Sequence, residues 1–178
     1  PAEHVGAAHA GHRVVALDRA ARTVSLDDER VIAYHKLLIA TGAKPRRLSL
    51  PGGELAYVLR DYGEADHLRE RLRHSACAAI IGGGFIGLEV ASSARKLGCA
   101  VALIEAQPRI LMRGVPEEIA AVVHARHLAA GVDMHVGTGL QSIETDGVLM
   151  QDGRKIKADI VIAGIGAAPE TALAAQAG

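Results

Sequence analysis

The chain has no tryptophan, one phenylalanine and three tyrosines in 178 residues. An aromatic platform on which the bases of a single-stranded nucleic acid could stack is therefore not expected. There are two cysteines, and Cys77 and Cys99 are too few and too far apart for a disulfide scaffold, a zinc site or a Cys-x-x-Cys redox centre. Two buried thiols in strands are expected instead. No charge sign dominates, because 20 basic residues balance 20 acidic ones, which removes the global field that would draw nucleic acid or an anionic membrane. The longest apolar runs, such as Ile160-Val161-Ile162-Ala163, fall far short of the ~20 residues needed to cross a bilayer. No signal peptide opens the chain, and a cytoplasmic protein is expected. There is no Gly-x-Ser-x-Gly elbow and no Tyr-x-x-x-Lys dyad. The chain also begins at Pro1 without an initiator methionine, and strand-like sequence starts almost at once, which points to truncation.

What is present is a sequence of alternating periods. Residues 13–17, 23–26 and 31–33 are short β-branched runs separated by polar turns and read as an antiparallel meander. Leu37-Leu38-Ile39-Ala40 reads as a further apolar strand running into Thr41-Gly42. Residues 44–53, with two Pro and two Gly, read as a linker. Over residues 64–73, Ala65, Leu68 and Leu72 recur at helical spacing. A strand over 78–81, a glycine turn, a helix to Leu97 stopped by Gly98, and a strand over 100–105 form a βαβ unit, which implies a parallel sheet. A second helix after Pro116 ends at Gly131, followed by a third parallel strand over 132–136, a hairpin of strands near 139–144 and 148–151, and an apolar strand over 159–163. The expected fold class is α/β: a Rossmann-like parallel sheet flanked by helices, with an inserted antiparallel meander and an N-terminal meander besides. The expected domains are residues 1–43, a linker at 44–53, a nucleotide-binding domain at 54–164 and a return segment at 165–178.

The run Gly82-Gly83-Gly84-Phe85-Ile86-Gly87 lies where strand gives way to helix. Gly82 suits the tight turn, Gly84 lets backbone approach a pyrophosphate, and Gly87 lets the helix pack on its strand. The first-turn amides and the helix dipole then face the phosphates. A dinucleotide site also needs an acid about twenty residues further on, at the end of the second strand, for the adenosine ribose hydroxyls. Glu105 occupies that position. Ala106 and Gln107 follow it where an NADP site would more often carry basic residues, so NADH is expected over NADPH. Arg109 and Arg113 are near enough to reach a phosphate, or else are solvated. Glu89 is either a surface acid favoured by the helix dipole or a carboxylate facing the nicotinamide side.

These residues, in this order, resemble the pyridine nucleotide-disulfide oxidoreductase superfamily, and within it the FAD-dependent ferredoxin reductases of bacterial oxygenase and cytochrome P450 systems. The resemblance is carried by Tyr34-His35-Lys36-Leu37-Leu38-Ile39-Ala40-Thr41-Gly42-Ala43 and by residues 81–89, 101–111 and 163–169. It implies an FAD domain, an inserted NAD domain and a C-terminal interface domain, with hydride passing from NADH to FAD and single electrons to a ferredoxin-type iron-sulfur protein. By matching position it implies that Gly82, Gly84, Phe85, Ile86, Gly87 and Glu105 hold NAD, with Arg113 near the adenosine end. Glu89, Gly164, Ile165 and Gly166 would flank the nicotinamide, and Thr41, Gly42 and Arg60 would approach FAD. The rest of the FAD domain would lie outside this chain, which alone would be inactive. No catalytic side chain is expected, since the cofactors carry the chemistry and the protein supplies binding and orientation. Three positions depart from the family pattern: Asp61-Tyr62-Gly63 replaces a Thr or Ser segment, Glu170 stands where Asn is common, and Glu29 where Gly is common.

On the same scaffold, an NADH oxidase, a nitrite reductase subunit, a disulfide reductase and a non-catalytic nucleotide-binding module are alternative readings. His124 and His127 share a helix face, but no acid or thiol completes a metal set, so solvent-exposed histidines are expected there. His4, His9 and His12 suggest adventitious metal at most. Lys44, Arg46 and Arg47 read as a solvated linker, or as a docking patch for an acidic ferredoxin.

Overall fold

The computed structural model describes residues 8–178; His4 lies outside them. The chain divides into two compact units, one comprising the segment up to Ala43 together with Pro169–Gly178, the other Lys44–Ala168.

In the first unit, β1 (Val14–Asp18), β2 (Thr23–Leu26) and β3 (Val31–Ala33) form an antiparallel sheet in that order. The expected meander is present. The turn from β2 to β3 shows why Glu29 is unusual for its position: its φ is +69°, the left-handed region that a glycine would enter at no steric cost. The turn holds because Leu26 N–H donates to the Arg30 carbonyl at 2.9 Å and Leu26 itself is buried. The strand expected at Leu37-Leu38-Ile39-Ala40 is not formed. Leu38 is 87% exposed, and an apolar run becomes a strand only where a neighbour supplies ladder hydrogen bonds.

Strand β4 (Ala43–Pro45) runs from the last residue of the first unit into the start of the expected linker, and the second unit continues with a short 3-10 turn at Gly53–Leu55 and helix α1 (Tyr62–Arg73). The departure at Asp61-Tyr62-Gly63 is explained here. Asp61 is the N-cap of α1 and accepts from Glu64 N–H at 2.9 Å, while Glu64 accepts from the backbone N–H groups of Arg60 and Asp61, a reciprocal capping box. The helix therefore starts two residues earlier than apolar spacing alone predicts.

Then come β5 (Cys77–Ile81), α2 (Phe85–Lys96), β6 (Ala100–Glu105), α3 (Glu117–Ala129), β7 (Val132–Val136), β8 (Leu140–Glu144), β9 (Gly147–Met150), β10 (Lys155–Lys157), β11 (Ile160–Ala163) and β12 (Ala167–Pro169), with α4 (Ala172–Gln176) returning to the first unit. Strands β11-β5-β6-β7 form a parallel sheet in that order. β5, β6 and β11 are almost wholly apolar because both faces are covered, whereas the edge strand β7 alternates apolar and polar residues. Alternate residues serve opposite sides: Ile80, Leu103 and Ile162 pack with Leu68 of α1 and Leu88 of α2, whereas Ile81, Ile104 and Val161 pack with Ile143, Val148 and Met150. The second cover is an antiparallel sheet, β10-β9-β8. It has a third strand that the expected hairpin lacked, because Lys155-Ile156-Lys157 is too short and polar to register as one. β4 pairs with β12. No helix is long and apolar enough to cross a membrane among the described residues.

Neither thiol forms a disulfide. Cys77 lies in β5, but Cys99 lies in the turn before β6, buried, with its Sγ 3.2 Å from the Leu72 and Ser75 carbonyl oxygens. Burial is the main cause that pushes the Cys99 thiol pKa up, with the Asp159 and Cys77 charges adding to it.

Candidate functional site

Adjacent strands β5 and β11 both end at the same edge of the parallel sheet, and the chain leaves β5 toward β6 on one side while β11 lies on the other. A crevice at the carboxyl ends of strands, where the order of connection reverses, is where open α/β sheets bind ligands. The Gly82–Gly87 loop and the Gly164–Gly166 loop meet there around a cavity of about 470 Å³.

Backbone fit explains the glycines. Gly82 has φ +105° and receives its neighbour so closely that a Cβ would lie 2.6 Å from the Gly164 carbonyl oxygen. A Cβ on Gly87 would lie 1.9 Å from the Gly82 oxygen. Gly84 differs, since its Cβ would meet no protein atom closer than the Gly164 oxygen at 4.0 Å. The protein itself leaves that space open, on the cavity wall. Gly84 is also the N-cap of α2 and has no side chain with which to satisfy the first-turn N–H groups, so donors and the positive end of a helix dipole remain for an anion. Phe85 and Ile86, 64% and 45% exposed, line the same cavity.

Glu105 stands at the end of β6, half-buried. One carboxylate oxygen accepts from Gly83 N–H at 2.7 Å and the other from Gln107 N–H at 2.8 Å. A carboxylate offers about four acceptor positions, so about two remain for further donors. The loop after β6 is tied back to the glycine turn by Leu111 N–H, which donates to the Gly83 carbonyl at 2.9 Å. Leu111 takes φ +54° to do so.

Of the residues singled out from sequence, Gly82, Gly84, Phe85, Ile86, Glu105, Arg113, Gly164, Ile165 and Gly166 line this one cavity, and Gly87 packs directly beneath its loop. Arg113 is exposed. Arg109 is not free to reach a phosphate, because its guanidinium donates to the Ile110 and Val115 carbonyl oxygens at 3.1 and 3.2 Å and braces the loop. Glu89 is exposed on α2, one turn beyond Phe85, and does not line the cavity. Arg60 precedes α1 and is likewise absent from the cavity lining. Thr41 and Gly42 belong to the first unit, where the Thr41 hydroxyl donates to the Glu170 carbonyl oxygen at 2.5 Å and Glu170 N–H donates to the Gly42 carbonyl at 2.9 Å.

Sequence reasoning missed Thr138 and Leu48, both of which line the cavity. Thr138 follows β7, so the rule that ligands lie beyond parallel-strand carboxyl ends would have found it. Leu48 carries no such signal. His127 is half-buried rather than exposed: its ring nitrogens lie 3.0 and 3.2 Å from the Val123 and Leu88 carbonyl oxygens, bracing α3 against α2. In the first unit His12, Asp27 and Asp28 bring ligand atoms within 4.8 Å of one another, all exposed, and Asp28 is already paired with Arg30 at 2.6 Å.

The chain is similar to known reductases. It is 42% identical over 172 residues to a rubredoxin-NAD(+) reductase of Pseudomonas putida, covering 93% of this chain and 45% of that one. It is 42% identical over 162 residues to the ferredoxin--NAD(+) reductase component of a p-cumate 2,3-dioxygenase system, also of Pseudomonas putida, covering 89% of this chain and 40% of the relative. The crystal structure of the ferredoxin reductase for the CYP199A2 system from Rhodopseudomonas palustris matches with a TM-score of 0.88 and 37% identity, over 93% of this chain and 43% of that one. The chain thus spans less than half the length of these relatives. Its residues 4–178 match the model of the pyridine nucleotide-disulphide oxidoreductases, and with the glycine turn, the acid and the switch-point cavity in place, the chain belongs to that family.

Proposed function

We propose that this chain is the NADH-binding portion of a cytoplasmic flavoprotein reductase that passes hydride from NADH to FAD and then electrons to a ferredoxin-type iron-sulfur protein. The observation that supports it most is the open space at Gly84: a helix N-terminus with uncapped amides faces a cavity that also holds a carboxylate at the end of the neighbouring strand. That pairing fits a dinucleotide, whose diphosphate needs donors and whose ribose diol needs an acceptor.

In this reading the first-turn N–H groups of α2 hold the diphosphate. The two remaining acceptor positions of Glu105 take the adenosine ribose hydroxyls, and Arg113 lies toward the adenosine end. Gly164, Ile165 and Gly166 border the nicotinamide end, with Glu89 on the same side, and the exposed side chains of Phe85 and Ile86 exclude water. Thr41, Gly42 and Arg60 face the flavin side, on the strength of the family pattern. When bound, the nicotinamide supplies two electrons as hydride and the flavin divides them into single-electron steps. The names of the relatives, which act on rubredoxin or ferredoxin, support an iron-sulfur acceptor.

Calorimetric titration with NADH and NADPH, with the visible spectrum recorded for flavin, tests the reading. Saturable NADH binding stronger than NADPH binding is expected. Binding of neither nucleotide would overturn it.

A further inference from the structure

A second cavity, of about 370 Å³, lies between the C-terminal ends of α2 and α3 and shares no lining residue with the first. Arg95, Lys96, Arg126, His127 and Ser92 line it, and no carboxylate does. The chain as a whole has equal numbers of acidic and basic residues, so this clustering is local.

Helix dipoles account for part of it. Basic residues belong in a last helical turn because each helix C-terminus carries roughly half a negative charge. Two such ends offset about one positive charge, whereas Arg95, Lys96 and Arg126 bring three, leaving an excess of about two. The side chains also divide their work. Arg95 closes the α3 end, donating from Nε to the Ala130 carbonyl at 3.0 Å and from a terminal nitrogen to the Cys99 carbonyl at 2.7 Å. His127 is the brace already described. The Lys96 ammonium, the Arg126 guanidinium and the Ser92 hydroxyl have no hydrogen-bond or ion-pair partner among the described residues. Two cations and a hydroxyl around a concavity free of carboxylates offer the donor set that a phosphate group takes.

We propose that this cavity binds a small phosphate-bearing anion through Lys96, Arg126 and Ser92. It lies at the opposite end of α2 from the glycine turn, about 18 Å away for a 12-residue helix. The site is therefore separate from the dinucleotide cavity, and α2 joins the two.

The test is a heteronuclear NMR titration of the 178-residue chain with inorganic phosphate, and in parallel with pyrophosphate, at constant ionic strength. Saturable shifts of the Ser92, Lys96 and Arg126 amides are expected, with an affinity distinct from that of any shifts at the glycine turn. Tighter pyrophosphate binding identifies a diphosphate occupant, and equal affinities a single phosphate group. The double substitution Lys96→Gln with Arg126→Gln should weaken binding at the second cavity at least about tenfold, at roughly fivefold per exposed cation, with the glycine-turn shifts unchanged. Lys96→Arg should retain binding. Both side chains are exposed, and an otherwise unchanged spectrum of the double variant would show that it folds. Shifts that stay linear throughout the titration, or that saturate equally in the double variant, would overturn the proposal.

Discussion

Replacing Gly84 with alanine separates what the fold requires from what a ligand requires. Gly84 sits at φ −81° and ψ −177°, extended backbone that alanine adopts without strain, and the added methyl meets no protein atom closer than 4.0 Å. Two small effects then oppose each other. Loss of glycine's freedom in the unfolded chain stabilises by about 0.4–1 kcal/mol, and alanine is a poorer N-cap than glycine by an amount on the order of 0.5–1 kcal/mol. The sum should lie within about 0.5 kcal/mol, a Tm change of roughly 1–2 °C for a chain of this size. On the ligand side the methyl occupies the space a diphosphate would use and separates it from at least one N–H group. A hydrogen bond to a charged group contributes about 1.5–3 kcal/mol, so NADH affinity should fall roughly tenfold to a hundredfold. Thermal melting and calorimetric NADH titration on the same preparation give both numbers. Unchanged affinity would refute the reasoning, since the backbone at Gly84 would not be where the ligand approaches. Gly87→Ala is the contrast: its methyl would overlap the Gly82 oxygen at 1.9 Å, and stability should fall by at least about 3 kcal/mol, at or beyond the usual limit for overpacking.

Glu105→Arg should weaken NADH binding and shift preference toward NADPH; an unchanged preference in competition titrations would remove Glu105 from the ribose site. Asp61→Ala removes the α1 cap and should cost about 1 kcal/mol, or roughly 2–4 °C in Tm, without altering NADH affinity. Asp159 accepts from the Cys77 and Ala76 N–H groups, both at 2.8 Å, and these bonds hold its carboxyl below the ordinary value of 3.8. Its stabilisation is therefore complete above about 3.8 and is lost as pH falls through the lower native value. Asp159→Asn should accordingly melt below the parent at pH 7 and converge with it in strong acid; a constant difference across that range would contradict the assignment.

The parallel sheet was legible because its signals are local. A continuous apolar run, a glycine turn and a 3.6-residue period followed by Gly98 or Gly131 each report on a few adjacent residues, and β5, α2, β6 and β7 fall within a residue or two of the expected bounds. What failed depended on partners distant in sequence. Leu37-Leu38-Ile39-Ala40 has strand composition but no ladder among the described residues, whereas Lys155-Ile156-Lys157 has poor strand composition yet pairs with β9. Arg109 and His127 show the same limit for side chains. Both look like exposed side chains by spacing, and both are committed to backbone carbonyl oxygens, Arg109 within its own loop and His127 on its own helix and on α2, which tertiary packing brings near.

Glu105 shows how far a motif can carry an argument and where geometry must take over. Counting from the glycine run places an acid at the end of β6, and the dinucleotide rule assigns it to ribose. The structure shows both of its oxygens already holding backbone N–H groups, one of them in the glycine turn itself. The same carboxylate therefore fixes the glycine loop and keeps about two acceptor positions, which in the proposed reading would take the ribose hydroxyls. Leu111 reinforces this from the other side, entering the left-handed region so that its N–H can reach the Gly83 carbonyl. Gly83 is thus held through both its N–H and its C=O before any ligand arrives. The ordering cost is met in folding rather than in binding, which is the advantage a pre-formed site has over one assembled by its ligand.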